Sequence, residues 1–146
     1  LKGCREVFLL AATLGSTADS LLRRYAATDI SRAAVMQSAC AAMIEQVCDD
    51  AEIPLRSEAA AEGCSLCSRF SPGYGDFSLS HQRDLTALLD CSRRIGLTLS
   101  ESLMMIPTKS VTAIIGIREG LCREPQTNKC RRCGNVNCTF REDGCP

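Results

Sequence analysis

A mixed helix-and-strand fold, ending in an irregular cysteine-rich segment, is predicted by three patterns in the sequence. Apolar runs of strand character stand at residues 6–13 and 110–117, helical apolar periodicity occupies most of the chain between them, and periodicity stops near residue 120. The first 120 residues are therefore expected to form one domain, and residues 121–146 a separate tail rich in Cys, Arg, Asn and Gly.

Residues 6–13 (Glu-Val-Phe-Leu-Leu-Ala-Ala-Thr) read as a buried strand. The turn at Leu14-Gly15 leads into a helix to about residue 27, with Ser16 or Thr17 as its expected N-cap. Asp29 is placed to cap a second helix over residues 30–50, in which Val35, Ala39, Met43 and Val47 recur at i, i+4 steps and predict the inward stripe. Cys40 and Cys48 are also placed on an apolar face, where a thiol acts as a small hydrophobe. Pro54, which lacks the backbone donor a helix needs, is expected to end any continuation.

After Gly63 a strand is expected over residues 65–70, and Ser71-Pro72-Gly73-Tyr74-Gly75 must turn. Ser78 or Ser80 then starts a third helix to about residue 94, carrying Leu85, Leu88, Leu89 and Cys91 inward and stopping at a left-handed Gly96. Residues 97–105 and 110–117 are expected to pair as a hairpin around Pro107-Thr108-Lys109.

Composition narrows the classes. Lys plus Arg and Asp plus Glu both number 17, so the chain is formally neutral and carries no basic arm for nucleic acid. With 4% aromatic residues and no Trp, the core must be aliphatic. The opening residues have no signal-type apolar region, and the longest apolar stretch is under half a membrane span, so a soluble cytoplasmic protein is expected, with no membrane and no nucleic-acid partner. Eleven cysteines cannot all pair internally, and five of them crowd into the last 25 residues. That clustering points to metal rather than to disulfides.

The tail has the form C-x2-C-x4-C-x6-C at Cys130, Cys133, Cys138 and Cys145, with Cys122 as a spare ligand and no histidine nearby. Compact thiolate runs favour a [4Fe-4S] cluster, with zinc as the alternative; Lys129, Arg131, Arg132 and Arg141 would offset thiolate charge in either case. A second C-x2-C, Cys64 with Cys67, is poorly placed to join such a site, because residues three apart on a strand face opposite ways.

One stretch of about fifty residues is more specific than any of these patterns. Arg69-Phe70-Ser71-Pro72-Gly73-Tyr74, then an amphipathic helix, then Gly96-Leu97-Thr98-Leu99-Ser100-Glu101-Ser102-Leu103-Met104-Met105-Ile106-Pro107 and Ser110-Val111-Thr112, resembles the activation domain of cobalamin-dependent methionine synthase in both order and spacing. Ser100 stands where that family usually has Thr, and the His-Pro and Tyr-rich segment that follows the hairpin in full-length members is replaced by Arg118-Glu119-Gly120-Leu121 and the tail. The opening Ala12-Thr13-Leu14-Gly15, followed by a helix with Asp19, is similar to small stand-alone relatives.

The resemblance implies a C-shaped α+β domain with a twisted, mainly antiparallel sheet and flanking helices. It also implies S-adenosylmethionine binding in support of reductive methylation, in which an oxidised corrinoid regains activity by taking one electron and a methyl group. The chain would then be an accessory part of a cobalamin-dependent methyltransferase system. By the same resemblance Arg69 contacts the ligand's carboxylate, Ser71, Gly73 and Tyr74 shape the binding loop, and Glu101 and Asp19 are further candidates for the site. Each residue type suits its part: a planar guanidinium fork, a glycine that lets backbone approach, and a flat ring with a polar tip. No residue is assigned to catalysis.

Cobalamin itself must be held by a partner, a methionine synthase module or another corrinoid protein. The Asp-x-His-x-x-Gly signature requires a histidine, and the only one, His81, lies in Ser80-His81-Gln82-Arg83 at the start of a helix. Two other classes use the same fold as a docking scaffold: an iron–sulfur electron-transfer protein, and a zinc-stabilised interaction module.

Overall fold

The structure is a computed structural model, and it describes residues 3–120. Strand β1 (Cys4–Thr13) leads through Gly15 into α1 (Ser16–Thr28) and the long α2 (Ile30–Ala61). A short β2 (Cys64–Leu66) and a loop follow, then one 3-10 turn (Leu79–His81), α3 (Gln82–Leu88), α4 (Cys91–Ile95), the two-residue strands β3 (Thr98–Leu99) and β4 (Met105–Ile106), and β5 (Ser110–Glu119). The order in the main sheet is β1-β5-β2, antiparallel throughout, while β3 and β4 pair with each other. This is an α+β architecture.

Strand β5 sits at the centre and is covered on both faces. Residues 112–116 are all buried, so the strand shows no buried/exposed alternation. Its register with β1 sets Phe8 opposite Ile115 and Leu10 opposite Ala113. The Phe70 backbone bridges to Ile114 in both directions at 2.9 Å, and this pins the start of the Ser71–Tyr74 turn to the same strand.

Asp29 caps α2 as expected: its carboxylate accepts from the Arg32 amide at 3.0 Å. The N-cap of α1 is Gly15 rather than Ser16 or Thr17. Its φ of 78° suits glycine, and its amide donates to Thr13 Oγ1. Pro54 does not end α2, which continues to Ala61. The proline costs one backbone bond, but Glu52 and Arg56 pair across it at 2.6 Å and the surrounding turn stays helical.

The inward stripe of α2 is displaced from the expected one. Cys40, Ile44, Cys48, Glu52 and Ala59 are buried, whereas Val35, Met43 and Val47 are exposed. Two i, i+4 apolar rows run side by side along this helix, and periodicity alone cannot rank them. The third expected helix is broken. Asp90 takes a left-handed conformation between α3 and α4 and leaves Leu88 exposed, while Leu85 and Cys91 are buried. Gly96 closes α4 with φ 67°, as its sequence position predicts.

The expected hairpin of residues 97–105 with 110–117 does not form. The chain folds back within the first of these segments: the Ser100 amide donates to the Met104 carbonyl, and Ser100 Oγ accepts from the Met104 amide at 3.1 Å. Serine hydroxyls compete in this way with ladder bonds, and Leu103 with φ 64° completes the reversal. The expected strand over residues 65–70 is likewise reduced to β2 plus the single Phe70 bridge.

Cys40, Cys48 and Cys91 are buried free thiols, as expected of small hydrophobes. Burial pushes the Cys48 and Cys91 thiols above the ordinary value of about 9.0. Since their folded pKa is raised, the stability they contribute is full below the unfolded pKa and falls as pH rises through the folded one. Thermal melts should therefore drop between pH 8 and pH 10, and Cys91→Ala should flatten part of that drop. An identical slope in the variant would contradict the assignment.

No helix among the described residues is long and apolar enough to cross a membrane. The expected tail ligands Cys122, Cys130, Cys133, Cys138 and Cys145 lie outside the described residues, as does everything beyond the expected division at residue 120.

Candidate functional site

The Arg-x-x-Pro-Gly-Tyr loop lies against α2 and the start of β5. Its geometry follows from its residues: Gly73 with φ 93° donates to the Phe77 carbonyl at 2.8 Å, and the Tyr74 amide donates to the Ser71 carbonyl. Gly75 is also left-handed, and a Cβ there would come within 3.2 Å of the Phe70 ring. Phe70, Phe77 and His81 stack in series behind the loop, with centroids 6.0 and 5.2 Å apart. His81 is exposed, with Nδ1 3.2 Å from Asp84.

Two adjoining cavities flank this loop. They share Glu45, Ser71, Tyr74 and Val111, and so form two lobes of one groove. The charged lobe, about 660 Å³, is lined by Glu45, Asp49, Glu52, Arg56 and Arg69. The inner lobe, about 570 Å³, runs beneath the β3–β4 hairpin and is lined mainly by apolar groups such as Ile44, Leu79, Met104 and Met105, with Lys109 among the polar ones.

Arg69 is the pivot of the charged lobe. It meets Glu52 at 2.6 Å, Asp49 at 2.7 Å and Glu45 at 3.1 Å, with its side chain 19% exposed. Glu52 is buried, whereas Glu45 and Asp49 are largely exposed. Burial opposes the charge on Arg69, but the hydrogen bonds it donates to Asp49 and Glu52 outweigh that and raise its pKa. The guanidinium is thus fixed in place and permanently charged.

These three acids were not singled out from the sequence. Their signal is the i, i+4, i+7 spacing of Glu45, Asp49 and Glu52, which puts all three on one helical face beside the buried Cys48. Gln82 and Thr112 were missed as well. They are 2% and 1% exposed, line the inner lobe, and their Nε2 and Oγ1 atoms lack a hydrogen-bond partner.

The other sequence candidates are scattered. Ser71 and Tyr74 line both lobes, Tyr74 being 69% exposed, and Gly73 shapes the loop without lining the groove. Asp19 lines a different cavity, of about 540 Å³. Its carboxylate accepts from the Thr108 amide at 2.9 Å and the Thr108 hydroxyl at 2.7 Å, so it anchors the turn before β5. Glu101 stands exposed in the β3–β4 turn, and Arg69 pairs with α2 instead of with it.

Among the described residues no group of three or more His, Cys, Asp or Glu side chains is arranged to hold a metal. Cys67 lies 3.6 Å from Cys4, sulfur to sulfur, while Cys64 turns to the Glu62 carbonyl, so the C-x2-C does not act as a pair.

A family model for the activation domain of vitamin B12 dependent methionine synthase matches residues 5–120. The chain belongs to that family. Among the curated proteins no match was found. Membership in the activation-domain family ties this chain to reactivation of the cobalamin-dependent methionine synthase system, and to a cobalamin-binding module as the natural partner of an activation domain. The matched span includes the Arg-x-x-Pro-Gly-Tyr loop and both lobes of the groove.

Proposed function

We propose that this activation domain binds S-adenosylmethionine in the two-lobed groove and serves the reductive methylation of a corrinoid carried by a partner module. The observation that carries the reading is Arg69, held by three carboxylates on the wall of a groove whose other lobe is apolar. The ligand has matching parts, an amino-acid end and a sulfonium at one side and a heterocycle at the other. Lined by three acids and two arginines, the charged lobe carries a net negative charge, which suits the ammonium and sulfonium.

Arg69 offers the ligand's carboxylate a planar fork, and the exposed Glu45 is the partner it can release at least cost. Released, Glu45 faces the ammonium. Tyr74 lies between the lobes with its ring accessible, placed to cover the ligand's middle. When bound, S-adenosylmethionine supplies the methyl group. The protein's share is to hold the ligand at an open groove where a partner's corrinoid can approach.

Calorimetric titration of the full chain with S-adenosylmethionine tests this. Arg69→Lys, which keeps the charge but loses the fork, should weaken binding at least tenfold, equivalent to ~1.4 kcal/mol. Glu45→Gln, at a largely exposed position, should weaken binding less and leave the melting temperature unchanged. No heat with the unaltered chain, or equal affinity in Arg69→Lys, would refute the reading.

A further inference from the structure

Outside the groove, where β1 begins and β5 ends, two thiols meet. Cys4 opens β1 and lies opposite Arg118 of β5, while Cys67 follows directly after β2 and its amide donates to the Gly116 carbonyl at 2.8 Å. The strands β1 and β2 are the outer ones of the sheet, so the central strand runs between these two cysteines. Their sulfurs are nevertheless 3.6 Å apart, although the residues stand 63 positions apart in the chain. Gly116 shares a strand face with Arg118 and has no side chain to keep the sulfurs apart.

Burial separates this pair from the thiols of the core. Cys40, Cys48 and Cys91 are buried, whereas Cys4 and Cys67 are half-buried and within reach of a small reagent. Both also sit where the backbone can give. The β1–β5 register shifts between Cys4 and Glu6, Gly3 precedes with φ 79°, and β2 has already ended at Leu66. Sulfurs in contact need to approach by roughly 1.5 Å to reach a bond length of about 2.05 Å. Cys64, the other half of the C-x2-C, turns to the Glu62 carbonyl and does not compete for this contact. Burial and the hydrogen bond with Cys4 hold the Cys67 thiol above its ordinary value, while Arg118 pulls against them.

We propose that Cys4 and Cys67 are a redox-responsive thiol pair, which a low-molecular-weight disulfide converts into a crosslink across the central strand. One protein thiolate attacks the small disulfide, breaks its S–S bond and releases one small thiol, which takes up a proton. The second protein sulfur, having given up its own proton, attacks the mixed disulfide and releases the other small thiol. The two protein thiols thus lose two electrons, and the small disulfide gains them as two thiols. Cys67, held protonated, is the second to react, with Arg118 as the cation that favours its thiolate. The crosslink ties the start of β1 to the segment that delivers Arg69, two residues beyond Cys67. It also closes a long loop, the case in which a disulfide restricts the unfolded chain most.

The test oxidises the full chain with glutathione disulfide, maps the digested product by mass spectrometry and records a thermal melt. Peptides joined through Cys4 and Cys67 should appear, lighter than the free pair by two hydrogens. The melting temperature should rise by about 10 °C and fall back on reduction with dithiothreitol. Cys4→Ser should remove both the joined peptides and the rise, and Cys64→Ser should keep both. Cys67→Ser should match Cys4→Ser; if it fails to fold, Cys4→Ser, at the half-buried end of an outer strand, carries the test. A bridge from Cys67 to Cys64, or from either member to a cysteine beyond residue 120, in place of the joined Cys4 and Cys67 peptides would overturn the pair. So would thiols at Cys4 and Cys67 that stay free through the oxidation. A crosslink that leaves the melting temperature unchanged would overturn its role in tying the outer strands together.

Discussion

Replacing Ile115 by alanine should lower the stability of the domain by about 3 kcal/mol, and Ile115→Val by about 1 kcal/mol. Ile115 is fully buried on the central strand, opposite Phe8 of β1, in a strand whose other face is also covered. Truncation therefore removes transfer free energy and opens a void that neither layer can close without breaking the β1–β5 register. Urea unfolding of the three chains, with equal m-values, is the measurement. A loss below ~1 kcal/mol for the alanine variant would show that the sheet relaxes around the site and is not the rigid support that the loop at Phe70 requires.

Much of this framework is legible in the sequence because it rests on local chemistry. The apolar runs near residues 6–13 and 110–117, the Asp29 cap and the left-handed Gly96 each report a preference carried by the residues themselves. What could not be read depends on partners distant in the chain. Helix α2 passes Pro54 in company with a carboxylate that reaches Arg69, seventeen residues away. Its buried row is the one that meets the sheet, although the neighbouring row with Val35 and Met43 is more hydrophobic.

The candidate site divides along the same line. The Arg69 to Tyr74 motif is a contiguous signature, and the loop it forms walls both lobes of the groove. Asp19 and Glu101 were grouped with it by resemblance alone, and the chain uses Asp19 to hold Thr108 at a different cavity. Gln82 gave no signal, since a polar residue in the first turn of a helix ordinarily faces water. Only the tertiary arrangement shows that it is buried and without a partner for Nε2.

Removing Glu52 should have the largest effect of any single change in the charged lobe. Glu52→Ala leaves Arg69 without its buried partner and withdraws the bond to Arg56 across Pro54, for an expected loss of about 3–5 kcal/mol. Arg69→Met should destabilise for the complementary reason, since it leaves Glu52 buried with one cation instead of two. Restoring apolar symmetry changes the sign of the argument: in the double variant Glu52→Met with Arg69→Met no buried charge lacks its partner, and well-packed apolar substitutes for buried pairs are often neutral for stability. The double variant should therefore recover most of the stability lost in either single, a coupling of at least ~2 kcal/mol by double-mutant cycle in urea. It should nevertheless fail to bind S-adenosylmethionine, because the fork is gone. Recovery of stability together with loss of binding would separate the two roles of the cluster, holding the loop on α2 and recognising a ligand. If the two singles add without coupling, Glu52 and Arg69 are not acting as a pair. If the double variant binds as tightly as the unaltered chain, the groove recognises its ligand without Arg69, and the assignment of the carboxylate to that side chain fails.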